Sequence, residues 1–416
     1  MERYKLGELI DVTRGASLAG DNYATEGELV RLTLGNFDYQ SNGFKQNSSK
    51  DNIFYNGEVD SSFILEEGDI ITPLTEQAIG LLGSTAKIPE SGKYIQSQDV
   101  ALVKVKSEKL VHDFAYYLLP TASVKKQLSA GAQQTSIRHT SPDKIKDCTV
   151  YIPEPTEQQK IADFLNQIEE KIAINKKENE TLEAMAKQLY DYWFIQFDFP
   201  DANGRPYKTS GGKMVWNETL KREIPEGWEV KNLPYIASFT NGLACQRFRP
   251  TGDDCGLPVI KISNMHGEKS NEKEFVKSDI PESVKVYDGD ILFSWSASLE
   301  VIIWAYGIGG LNQHIFKVTE KNGYSKYFVY HKLLGYVDQF RRIAQARKTT
   351  MGHITSDHLN QSTIEIPDNE IIYKSFDKEV APIYSRIISN SQEVIKLQGL
   401  KDFILPLLMT GQVTIE

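Results

Sequence analysis

Between Thr156 and Trp193 the apolar residues Ile161, Leu165, Ile168 and Ile172, then Leu182, Ala186 and Leu189 beyond two asparagines, recur at alternating steps of four and three. That spacing is the seam of a coiled coil and is narrower than the apolar stripe of an ordinary surface helix. Pro155 bars an earlier start, Thr156 is placed to cap the first turn, and Gln159 is placed to bond back to it. Glu169, Glu170, Lys171, Lys176, Lys177, Glu178 and Glu183 occupy the other faces, so only one stripe needs a partner.

A matching stripe lies in the same chain. Phe376, Val380, Ile383, Ile387, Asn390, Val394, Leu397, Lys401, Ile404 and Leu408 repeat the alternating steps, with Asn390 in the place of Asn175. Two such helices packed antiparallel about a pseudo-two-fold axis would bring Asn175 and Asn390 together. A buried asparagine pair fixes register, because any slip strands an amide among aliphatic neighbours. Pro382 conflicts with a continuous second helix and predicts a kink or a late start there.

The residues before each helix form a long internal repeat. Gly68-Asp69-Ile70 is answered by Gly289-Asp290-Ile291, Asn36 by Asn264, Gln98 by Gln313, Phe114 and Tyr116 by Phe328 and Tyr330, and Ile152-Pro153 by Ile366-Pro367. The polar stretch from Ala130 to His139 is answered by Ala344 to His353. A period of about 200 residues signals a duplicated domain and not a solenoid. The expected organisation is α/β (α+β): a domain at 1–153, a central helix at 154–197, a turn-rich connector at 198–224, a second domain at 225–367 and a C-terminal helix at 368–416. Strands are expected from Leu29 to Leu34, after a turn at Gly68-Asp69-Ile70-Ile71, and from Val100 to Val105, with a helix from Asp113 to Leu128 despite Pro120.

Composition narrows the function. With 47 basic against 56 acidic residues and a net charge of −9, the chain is not one that coats DNA through bulk charge. DNA binding would need a local basic face, and would be weak in isolation. No apolar run reaches about 18 residues, so neither a membrane span nor a secretion signal is expected. Three scattered cysteines suit a reducing cytoplasm and neither a disulfide framework nor a zinc site. Methyltransferase and phosphate-cradle motifs are missing, and no histidine or carboxylate set suggests catalysis or a metal. The chain is therefore expected to bind and position something.

The residues best suited to DNA sit in the repeated loops. Thr135, Ser136, Arg138 and His139, and their counterparts Arg347, Lys348, Thr349 and Thr350, combine phosphate-binding and base-reading types. Arg14, Arg247 and Arg249 follow the first strand of each domain, and Arg341 and Arg342 extend the second loop. Asn36 and Asn264 suit adenine, or equally the building of a turn. Trp295 suits base stacking or a core position.

This pattern resembles the specificity subunit of a Type I restriction-modification system. The resemblance covers nearly the whole chain: two recognition domains each followed by a long helix, Ile-Pro before each helix, Leu189-Tyr190-Asp191-Tyr192-Trp193-Phe194 leading to Phe197-Asp198-Phe199-Pro200, and a close at Leu405-Pro406-Leu407-Leu408-Met409-Thr410-Gly411-Gln412-Val413. It implies a subunit without catalysis or cofactor of its own. It also implies double-stranded DNA with a bipartite target, two modification subunits that use S-adenosylmethionine, and restriction subunits that use ATP and magnesium. At ~1.5 Å per residue the helix pair would be a ruler of roughly 50 Å. Two other readings stay open: a duplicated protein-interaction scaffold, including an acidic inhibitor, and a combined restriction-methylation enzyme.

Overall fold

The computed structural model describes residues 1–39, 42–47, 51–76, 80–130, 138–265, 274–296, 298–346 and 354–415. The chain divides into two compact units, Met1–Glu170 with Leu397–Glu416, and Lys171–Lys396.

In the first unit Glu2–Lys5 pairs antiparallel with Thr149–Ile152, which closes the domain before the helix begins. A four-stranded antiparallel sheet follows the order Ala86–Lys87, Ile70–Pro73, Val100–Val105, Ile10–Arg14. A second sheet is made of very short strands, with Val30–Arg31 parallel to Tyr94–Ile95. Gly68 turns the chain into Ile70–Pro73 at φ +85°, and the Asp69 carboxylate accepts from the Glu66 N–H at 3.0 Å. The segment around Pro120 is two helices, His112–Leu118 and Ala122–Ala130, because proline ends the first one.

The second unit repeats this plan. Glu229–Asn232 pairs with Thr363–Ile366, and Ala237–Asn241, Ile315–Glu320, Ile291–Ser294 and Glu300–Ile303 form the equivalent sheet. Gly289, at φ +89°, and Asp290, which accepts from the Tyr287 N–H at 2.8 Å, rebuild the same turn. The segment read as a connector is folded into this unit. It carries the hairpin Met214–Asn217 with Arg222–Pro225, and Phe199 stacks on both Tyr207 and Trp228.

Both long helices exist, as Pro155–Tyr190 and Glu370–Met409. The first begins differently from the expected capping box. Pro155 itself occupies the first turn, where its missing N–H costs nothing, and the Glu154 carbonyl accepts from Glu157 and Gln158. Gln159 instead reaches Asp163. Gln158 is fully buried and bonds the Pro153 and Lys109 carbonyls and the Val111 N–H, which fastens the helix to the domain. The second helix starts at Glu370, capped by Asn369, well before Pro382, so there is no late start. Pro382 is exposed, and the Lys378 carbonyl it deprives of a partner can be hydrated.

The pairing is antiparallel within each unit. In the first, Lys401 bonds Glu169 at 2.9 Å and Lys160 bonds the Ile415 carbonyl at 3.1 Å, beside Ile161, Leu165, Leu408 and Met409 in the core. In the second, Arg386 bridges Glu178, and Tyr190, Trp193 and Phe194 meet Phe376. Asn175 and Asn390 are both buried, yet they are not bonded to each other. Asn175 donates to Glu393 at 2.7 Å, and Asn390 donates to the side-chain oxygen of Asn179 at 3.0 Å. Asn175 lies beside Glu393 and Asn390 beside Asn179, so each asparagine finds a different polar partner.

Candidate nucleic-acid interface

Strand register gathers several candidate residues at one end of the first unit's sheet. Arg14 lies opposite Ala101, and Pro73 opposite Val100. The last residues of two strands and the first of a third therefore share that end. There Gly15 runs so close to the next segment that a Cβ would sit 2.3 Å from the Gln96 carbonyl oxygen, and only glycine permits it. Arg14 is exposed, and its Nε donates to the Gln98 carbonyl at 2.8 Å. Past Pro73 the chain continues as Thr75–Glu76, paired with Arg138–His139. The fold thus places Arg14, Arg138 and His139 at the same end.

The second unit rebuilds this end with other side chains. Gly242 makes the equivalent approach, a Cβ there lying 2.2 Å from the Asn312 carbonyl oxygen. Asn241 stands where Arg14 stands in the first unit. Its side chain accepts from the Trp295 indole N–H at 3.1 Å, and the indole packs against His314 and Phe316. The Ile354 N–H bonds the Trp295 carbonyl, as the Thr140 N–H bonds that of Leu74, so Leu74 is the counterpart of Trp295. Arg247 and Arg249 are exposed beyond the strand. Arg249 lines an open cavity of about 630 Å³ with Asp254, Glu274 and Phe275.

Asn36 is a turn-building residue. It is 2% exposed; its oxygen accepts from the Thr33 N–H at 2.9 Å, and its amide donates to the Lys45 carbonyl at 3.3 Å. Asn264 accepts from the Lys261 N–H at 2.8 Å in the same way. Of the two roles open to these asparagines, the turn is the one observed, and Asn36 is too enclosed to meet a base edge. Arg341 is committed to the Leu299 carbonyl and to Asp338, and Arg342 donates to the Asp338 carbonyl. Thr135, Ser136, Arg347, Lys348, Thr349 and Thr350 lie outside the described residues.

Two residues here escape a reading of motifs. Asn241 is visible only once the strands are in register with those of the first unit. Glu76 is 1% exposed, and one of its oxygens accepts from the backbone N–H groups of Gly80, Leu81 and Leu82 at 3.0, 2.8 and 3.1 Å. Its one visible signal is a carboxylate four residues before a glycine, and Gly80 takes a φ of +96°. Among the described residues no group of histidine, cysteine and carboxylate side chains could hold a metal, and no helix is long and apolar enough to cross a membrane.

Residues 1–184 match the Type I restriction modification DNA specificity domain. Over 320 residues the chain is 25% identical to the specificity subunit of the Type I restriction enzyme MjaIX of Methanocaldococcus jannaschii, covering 75% of this chain and 71% of that one. Over 380 residues it is 23% identical to the HindI specificity subunit of Haemophilus influenzae, covering 77% and 81%. The chain is thus similar, over about three quarters of its length, to Type I specificity subunits. Its fold agrees with a solved member: the crystal structure of a Type I system S subunit from M. genitalium matches with a TM-score of 0.58 at 14% identity, over 98% of this chain and 95% of that one. The fold of this chain is thus shared with that S subunit over nearly its whole length.

Proposed function

We propose that this specificity subunit recognises a bipartite target in double-stranded DNA, each domain reading one block through the sheet end described above. Arg14, Arg138 and His139 present charged donors in the first domain, whereas the second presents Trp295, Asn241 and His314. One scaffold with two sets of reading groups suits two different blocks, and this observation carries the reading. Arginine pairs bidentately with guanine, and an aromatic face or amide favours other bases. The helix pair sets the gap between the blocks and docks two modification subunits. The transfer of methyl groups from S-adenosylmethionine, and ATP- and magnesium-dependent cleavage, belong to the modification and restriction partners in the cytoplasm. This chain supplies only placement.

Exchange of residues 1–153 for the corresponding domain of another specificity subunit tests this. In cells carrying the assembled system, the genome-wide methylation motif should change in one block and keep the other. A motif altered in both blocks refutes modular reading. A purely protein-binding scaffold is the reading favoured by the net charge of −9, and in that case no exchange would alter the motif.

A further inference from the structure

We propose that Glu76 is a positioning residue that sets the specificity of the first domain by holding Arg138 for a base edge and against the phosphate backbone. The inference rests on the reading of this sheet end as the DNA-facing one. Glu76 and Arg138 are directly opposite each other on paired strands. Burying a carboxylate is unfavourable unless its charge is matched, and here the burial is nearly complete. One oxygen is used by the three N–H groups of residues 80–82, which ties that loop down. The other oxygen has no hydrogen bond and faces the Arg138 guanidinium across 4.0 Å. At that range the attraction aligns the guanidinium without consuming its N–H groups. Arg138 keeps 26% of its side chain exposed, so a donor edge is left for an incoming acceptor.

The chemistry selects the acceptor. A guanidinium and the fixed carboxylate beside it have little net charge together, so the pair's pull on a phosphate is weakened, while the planar donors of the guanidinium still fit the two acceptors of a guanine edge. Glu76 therefore lowers non-specific binding and raises discrimination. A role confined to folding would move both in the same direction, because a disordered loop weakens every contact.

The test uses the full complex with its modification and restriction partners. Binding is measured to the cognate duplex, to duplexes altered singly in either block, and to an unrelated duplex. Glu76→Gln keeps the shape and an oxygen for the three N–H groups but removes the charge. It should reduce discrimination in the first block about tenfold, leave the second block unchanged, and increase affinity for the unrelated duplex. Arg138→Lys, which keeps the charge and loses the paired donors, should reduce first-block discrimination by a similar factor without weakening unrelated binding, and it carries the test if the glutamine variant fails to fold. If Arg138→Lys matters and a folded Glu76→Gln does not, the positioning role is wrong and the interface stands. If neither alters the first block, the interface itself is misplaced.

Discussion

Burial of His331 makes the stability of the second unit depend on pH. The ring is 2% exposed, stacked on Tyr190, and in hydrogen-bond contact with Tyr384 through Nε2 at 2.8 Å. Removal from water, with a smaller push from Lys187, depresses its pKa from 6.5 to about 3. Below pH 6.5 the unfolded chain takes up a proton that the folded one refuses until about pH 3, so stability is full above 6.5 and falls as the pH drops. Each pH unit in that window costs about 1.4 kcal/mol. Urea melts at pH 6.5 and 5 should show the wild type losing roughly 2 kcal/mol more than His331→Phe; equal losses would mean that the ring is hydrated in the folded state. Sequence identifies neither this histidine nor the burial of Asn36. An amide suits adenine and a turn equally well on paper, and only the surroundings decide between them. Arg14 is legible because a basic residue at a strand end is exposed by default, whereas Glu76 matters through backbone groups that no residue pattern displays.

At the scale of elements, the long helices are legible because a strict apolar seam repeats over many turns. Their ends and register are not, since these depend on single polar contacts. Gln158 fastens the first helix from inside the domain, and Asn175 meets Glu393 and not Asn390. The two asparagines consequently differ. The Asn175 side-chain oxygen is buried without a hydrogen bond, so Asn175→Leu removes an unsatisfied acceptor and adds apolar contact, and the exposed Glu393 carboxylate that loses its amide donor keeps Lys171 at 3.5 Å. Asn390→Leu instead takes away the donor that Asn179 receives. Thermal melting of the two single variants should place Asn175→Leu above Asn390→Leu by about 1–3 kcal/mol, several degrees in Tm at about 2–4 °C per kcal/mol. Equal shifts would show that the two positions act as the matched pair that their sequence spacing suggests. Many strands of the smaller sheets are only two residues long. Alternation cannot be seen over two residues, so the strand expected from Leu29 to Leu34 is only Val30–Arg31, followed by a turn at Leu34–Asn36, whereas Val100–Val105 matches its expected length.

For the whole molecule, duplication is readable because a marker such as Gly68 with Gly289 answers a backbone demand, both at positive φ; the structure adds Gly15 and Gly242, both at a close approach. The side chains proposed above to read DNA differ between the two domains, so the scaffold is legible and the target is not. Charge then sets how that scaffold can work. With a net charge of −9 the protein repels a polyanion at long range, and the few exposed arginines at the sheet ends act only at contact. The function proposed above then has affinity coming largely from partners that supply phosphate contacts, and discrimination from this chain. Titration of a labelled target duplex with the chain alone should give a dissociation constant no tighter than the non-specific range of about 10⁻⁴–10⁻⁶ M, with a shallow dependence on salt. Adding the modification subunits should tighten binding by orders of magnitude and steepen the salt slope, because each phosphate contact releases about one counterion. Nanomolar binding by the chain alone, with a steep slope, would mean that a local basic face suffices and that the partners are not the source of the positive field.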